Sequence, residues 1–140
     1  MTAAGAGIGD QLPGFTATLT RADLVRYARA SGDANPIHLD EESARAAGLP
    51  GVVAHGMLTL ALAGRLVTAW AGDGFDVSTL RTRFPRPVVV PAAGGARLDV
   101  AGRVSDIADD GSLRVELSVT ENEAVVLLQA RAVLTPRARS

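Results

Sequence analysis

Sixteen residues from Gly56 to Ala71, GMLTLALAGRLVTAWA, are apolar on nearly every side. Met57, Leu58, Leu60, Leu62, Leu66, Val67 and Trp70 leave no broad polar face, and a helix of that kind is buried inside a core. Arg65 stands in its middle, and the stretch falls short of the roughly 20 apolar residues that cross a bilayer. The helix therefore belongs to a soluble domain, and the rest of the chain must wrap it.

The second half can. Leu113, Val115, Leu117 and Val119 alternate with Arg114, Glu116 and Ser118, the period of a half-buried strand. Asp109-Asp110-Gly111 is turn chemistry that joins this strand to ARLDVAGRVSDIA as a hairpin. Glu121-Asn122-Glu123 reads as a second turn and AVVLLQARAVL as the last strand. RTRFPRPVVV reads as one more strand, with Pro85 and Pro87 confining it to an edge or a bulge. The first half reads as mainly helical. A short strand at Phe15–Leu19 precedes a helix over RADLVRYARA, which Thr20 and Asp23 open with capping-box spacing. That helix stops at Ser31-Gly32, and Asp40 caps a short one, EESARAA, ending at Gly48. Residues 1–13 read as a flexible lead. The sum is a single α+β domain over residues 1–140, one buried helix against an antiparallel sheet.

Composition removes several chemistries. No cysteine is present, which excludes disulfides, thiolate nucleophiles and zinc–sulfur sites and suits a reducing cytoplasm. All fourteen basic residues are arginine, so neither a Schiff-base lysine nor a phosphate-loop lysine is available. A net charge of −1 gives no field that would recruit nucleic acid or an anionic membrane. The opening MTAAGAGIGDQLPG lacks the charged and apolar regions of a secretory signal.

Chemistry concentrates in SGDANPIHLD, residues 31–40. Asp33 and His38 would sit about 140° apart on one helix. Pro36 breaks a helix and biases Asn35 toward extended geometry, so the segment is a loop. Stretched out, it could separate the two groups by about 17 Å, and they meet only if it curls. Taken alone, Asp-Ala-Asn-Pro is common turn chemistry, and a histidine after it is more often structural than a proton carrier. His55 reads as a backbone-bonded residue behind such a pair. Gly56 opens the buried helix, where the first N–H groups lack intrahelical partners and negative charge is favoured. Glycine there would let a ligand carbonyl approach the backbone. A carboxylate, an imidazole and an N–H donor together suit proton transfer beside a carbonyl. Two histidines among scattered carboxylates supply no metal-ligand spacing.

YARASGDANPIHLD followed by GLPGVVAHGMLTLALAG resembles the hydratase motif of the MaoC-like, (R)-specific enoyl-thioester hydratases and dehydratases. Within that family it looks most like the catalytic subunit of the actinobacterial (3R)-hydroxyacyl-carrier-protein dehydratases. RFPRPVVVP is similar to the family's Phe-x-x-Pro-Val strand. The resemblance implies a hot-dog fold, a long central helix wrapped by a curved antiparallel sheet. It implies reversible dehydration of (3R)-hydroxyacyl thioesters to trans-2-enoyl thioesters in the cytoplasm, without metal or organic cofactor. The substrate would be an acyl-CoA or acyl-carrier-protein thioester, and the partner a second copy or a related hot-dog subunit, with neither nucleic acid nor membrane involved. Asp33 and His38 become the catalytic pair and Gly56 N–H the carbonyl donor, with Asn35 ordering the loop or binding the thioester region. Some relatives carry a serine eight positions after that glycine. Gly64 stands there instead, which implies other support for the pair or a wider acyl channel. Two rival readings are a hot-dog thioesterase, aiming water at the thioester carbon, and a non-catalytic acyl-binding subunit. Arg81, Arg83 and Arg86 could meet a phosphopantetheine phosphate or an acidic carrier protein, or could simply be solvated.

Overall fold

The computed structural model describes residues 2–138. Its helices are α1 (Arg21–Ser31), α2 (Glu41–Ala46) and α3 (Gly56–Ala71). Its strands are β1 (Phe15–Leu19), β2 (Phe75–Arg83), β3 (Ala96–Ile107), β4 (Leu113–Glu121), β5 (Ala124–Val125) and β6 (Leu128–Pro136). All pair antiparallel in one sheet ordered β1-β3-β4-β6-β2, with β5 on β4.

The alternation of β3 and β4 puts Leu98, Val100, Val104, Val115 and Val119 on one face of the sheet. Against that face α3 buries Leu62, Ala63, Leu66, Val67 and Trp70. One apolar helix enclosed by an antiparallel sheet is the hot-dog arrangement that the resemblance implies. Thr20 and Asp23 form the full capping box on α1. Asn122 and Glu123 take φ of 48° and 68° between β4 and β5, the left-handed geometry that a tight two-residue hairpin requires.

Three expectations change. The strand read as RTRFPRPVVV lies earlier: β2 ends at Arg83, because the prolines that follow have no N–H for a ladder. Residues 88–90 pair with 52–54 instead, through Ala54 N–H to the Val88 carbonyl (2.9 Å) and Val90 N–H to the Val52 carbonyl (2.8 Å). The last strand divides after Val125 and resumes as β6, where Gln129 adopts φ of 52°. Residues 2–13 are not a loose lead. Ala3 and Leu12 are only 1% and 5% exposed, and Leu12 N–H donates to the Gly102 carbonyl at 2.8 Å. Ala3 N–H likewise donates to the Trp70 carbonyl at 2.9 Å, one of the α3 end groups that the helix itself leaves unpaired.

Leu98 has no exposed surface. Leu98→Ala should lower the unfolding free energy by about 3 kcal/mol, a mid-range value for a buried leucine. Urea titration measures it, and a loss under about 1 kcal/mol would show that the helix and sheet do not close there.

Candidate active site

The loop after α1 curls because each short polar side chain closes a turn over its own backbone. Gly32 ends α1 with φ of 79°. Ser31 Oγ accepts from Asp33 N–H (3.1 Å), Asp33 Oδ1 from Asn35 N–H (3.2 Å), and Asn35 Oδ1 from Ile37 N–H (3.2 Å). Pro36–His38 then make a single 3-10 turn. At the far end Asp40 caps α2. The Ser43 hydroxyl, and then the Ser43 N–H, hold the Asp40 carboxyl below the ordinary aspartate range. With Asp33 Oδ1 held by Asn35, Oδ2 comes within 4.0 Å of His38 Nε2. The turn and the candidate site are thus built from the same residues.

His38 is 8% exposed, and its Nδ1 lies 2.7 Å from the Val53 carbonyl oxygen. A carbonyl only accepts, so Nδ1 carries the proton and the neutral ring presents a lone pair at Nε2. That lone pair and the Asp33 carboxylate are both acceptors, and what fits between two acceptors is a donor, a hydroxyl or a water. His55, 2% exposed, stacks on His38 with centroids 3.8 Å apart and planes at 22°. Its Nε2 lies 3.0 Å from the Asp33 carbonyl oxygen, which makes Nε2 the donor. Its Nδ1 is left bare, buried and without a partner among the described residues. Tyr27 packs edge-on against the same ring at 4.7 Å.

Asp33, His38 and His55 offer ligand atoms within 4.8 Å of one another, a grouping that their sequence spacing did not reveal. With His55 Nε2 engaged by Asp33, the set suits a shared proton better than tetrahedral zinc coordination.

His38 and Gly56 line one cavity of about 450 Å³ together with Ile37, Thr59, Phe84 and Arg86, among others. Leu58 and Thr59 N–H groups both turn to the His55 carbonyl, whereas Gly56 N–H has no acceptor among the described residues. A Cβ on Gly56 would come within 3.1 Å of the Phe84 ring. The room that glycine frees is therefore filled by an aromatic ring, and the N–H remains as the free donor. At Gly64 a Cβ would stand 3.3 Å from Leu80 Cδ2, so Leu80 takes up part of the space that a larger side chain would fill. Asn35 has its side-chain oxygen committed to the loop. Val53, Phe84 and Tyr27 join the site through long-range packing that left no local pattern in the sequence.

Residues 7–123 match the family model described as MaoC like domain. The 3-hydroxyacyl-thioester dehydratase X of Mycobacterium tuberculosis is 39% identical over 83 residues, 59% of this chain but only 29% of that protein. The chain thus spans less than a third of that relative. The 3-hydroxyacyl-thioester dehydratase Z of the same organism is 31% identical over 108 residues, covering 74% of this chain and 69% of that one. Among solved structures, the R-hydratase PhaJ1 from Pseudomonas aeruginosa superposes with a TM-score of 0.80 at 27% identity, over 99% of this chain and 86% of that one.

The two rings should carry their protons on opposite nitrogens. In ¹⁵N spectra of the histidine-labelled protein at mildly alkaline pH, His38 should show a protonated Nδ1 and a bare Nε2. His55 should show the reverse. Matching tautomers in the two rings would overturn the wiring described above.

Proposed function

The chain belongs to the MaoC-like family, and from that premise we propose that it interconverts (3R)-hydroxyacyl and trans-2-enoyl thioesters by removing or adding water. The observation that carries the reading is the pair of acceptors 4.0 Å apart, Asp33 Oδ2 and His38 Nε2, of which His38 lines one cavity with Gly56, whose N–H is unengaged among the described residues.

The difficulty of the reaction is the weakly acidic α-proton. Gly56 N–H, at the positive end of α3, donates to the thioester carbonyl as negative charge gathers on its oxygen, an effect worth about 3 kcal/mol for one well-placed donor. The bare His38 Nε2 takes the α-proton and returns it to the departing 3-hydroxyl, which leaves as water. Asp33 accepts a hydrogen bond from that hydroxyl and holds it on the side of the base, so that proton and hydroxyl leave from one face. Hydration runs the same steps backward. Asn35 orders the loop. A thioesterase would use the same carbonyl donor but would need its water at the thioester carbon.

The substrate is carried on coenzyme A or on an acyl carrier protein, and the setting is the cytoplasm. Freedom from cysteine supports that setting. No described helix is long and apolar enough to cross a membrane.

With crotonyl-coenzyme A in H₂¹⁸O, label should enter the β-hydroxyl of (3R)-hydroxybutyryl-coenzyme A, with no free thiol above the uncatalysed rate. Label in a released carboxylate, with thiol rising in step, would replace this reading by the thioesterase. Asp33→Asn and His38→Ala should each lower kcat at least about a hundredfold. The double variant should lose far less than the product of the two.

Sheet edges bear on assembly. β1 and β2 are the outermost strands, and nine residues of β2 offer a free edge, with Phe84 and Leu128 exposed near its end. An open edge of that length is usually paired or covered, so the working unit is a homodimer or a heterodimer with a related hot-dog chain. Light scattering should show a dimer, and a stable, active monomer at micromolar concentration would contradict it.

A further inference from the structure

Buried polar atoms are nearly always paired, and His55 departs from that rule at one nitrogen. Its Nε2–H reaches the Asp33 carbonyl oxygen at 3.0 Å, while Nδ1 has no hydrogen-bond partner among the described residues. Leaving such an atom unpaired destabilises the fold. A phenylalanine would stack on His38 without that penalty, and a glutamine could hold the Asp33 carbonyl. Histidine at this position therefore answers a need for a ring and a donor in one side chain.

The donor is explained by the loop: held through its backbone carbonyl, Asp33 keeps its carboxylate toward His38. The ring is explained by charge. In the proton transfer proposed above, His38 takes the α-proton at Nε2 while its Nδ1–H stays on the Val53 carbonyl. For that interval a buried ring is an imidazolium, and an unbalanced buried charge is unfavourable. The Asp33 carboxylate meets Nε2 only at the ring's edge, from 4.0 Å, is half-exposed to solvent, and is occupied with the substrate hydroxyl. His55 meets the ring face, with centroids 3.8 Å apart and planes 22° from parallel. The face of a neutral aromatic ring attracts a cation lying over it within about 6 Å. An acceptor at Nδ1 would call for a second proton on His55 and set two cations face to face, so the bare nitrogen is what this contact requires. The other titratable groups around the pair are Tyr27, edge-on to His55 from α1, and Arg86, which lines the cavity with His38 and is paired with Glu121 at 3.6 Å.

We propose that His55 is a positioning residue that acts through His38, lending its neutral ring face to the base while the base is charged. The proposal rests on the hydratase reading above.

The attraction exists only while His38 carries the extra proton, so its loss should lower kcat and leave KM nearly unchanged. With crotonyl-coenzyme A, His55→Gln can keep the donor to Asp33 but has no ring, and should lose about tenfold in kcat, the scale of one desolvated cation–π contact. His55→Phe keeps the ring and gives up the donor, and should remain severalfold faster than the glutamine variant. If His55 served only to hold the Asp33 carbonyl, that order would invert. A glutamine variant at least as fast as the phenylalanine variant therefore overturns the proposal. Progressively fluorinated phenylalanines at position 55 keep the ring's shape while draining its face of electrons. Across that series kcat should fall stepwise at constant Tm, and a flat kcat overturns the proposal. The series decides alone if the glutamine variant does not fold. If the unmodified protein turns over no thioester, the hydratase reading fails, and ¹⁵N titration of His38 across the same series tests the contact by itself. Asp33, Tyr27 and Arg86 are constant throughout, so weakening the face should move protonation of His38 to lower pH. A midpoint that falls along the series upholds the contact, and one that does not move overturns it.

Discussion

The hydrogen bond from His38 Nδ1 to the Val53 carbonyl is the contact on which the site depends. It fixes which nitrogen of His38 is bare, and it ties the loop to a backbone segment whose next residues are His55 and Gly56. Val53 N–H closes the link in return by donating to the Ile37 carbonyl at 3.1 Å. The segment is braced on its other side by residues 88–90, which run back toward Phe84. The His38 ring, the His55 ring stacked on it and the Gly56 N–H are thereby placed by four consecutive residues. A hydrogen bond in so buried a setting is stiffer than one at the surface, which suits groups that must hold a proton's path.

The loop has little slack. Asp33 has one carboxylate oxygen engaged by the Asn35 N–H and the other turned to His38. Its backbone carbonyl is engaged by His55. The same polar side chains that make a reverse turn cheap to form also aim the carboxylate. For that reason a stretch resembling ordinary turn chemistry could not be separated, by its residues alone, from a site.

What was legible in the sequence followed the range of each interaction. The buried helix, the alternation of β4 and the capping box depend on neighbours within a few positions, and they lie where periodicity put them. The strand near residue 81 was displaced because Val88-Val89-Val90 has the apolar content of a strand, yet it pairs only with residues 52–54. The alternation of β2 is broken by a bulge at Ser78. The packing of Ala3 and Leu12 rests on partners far along the chain, which glycine-rich local sequence hides. In the site, Asp33, His38 and Gly56 were nominated by residue type and spacing. Val53 and Phe84 enter through bridging and packing contacts that no single window contains.

The chain has one tryptophan and one tyrosine, and the fold sends them to different places. Trp70 is 2% exposed at the end of α3, among the side chains that join helix to sheet. Tyr27 lies against His55, directly behind the candidate base. Intrinsic fluorescence therefore comes resolved by location. Indole emission reports whether the sheet has closed on its helix, and phenol emission reports the surroundings of the imidazole pair. A substitution that silences the site can then be told apart from one that loosens the core with no label attached to either.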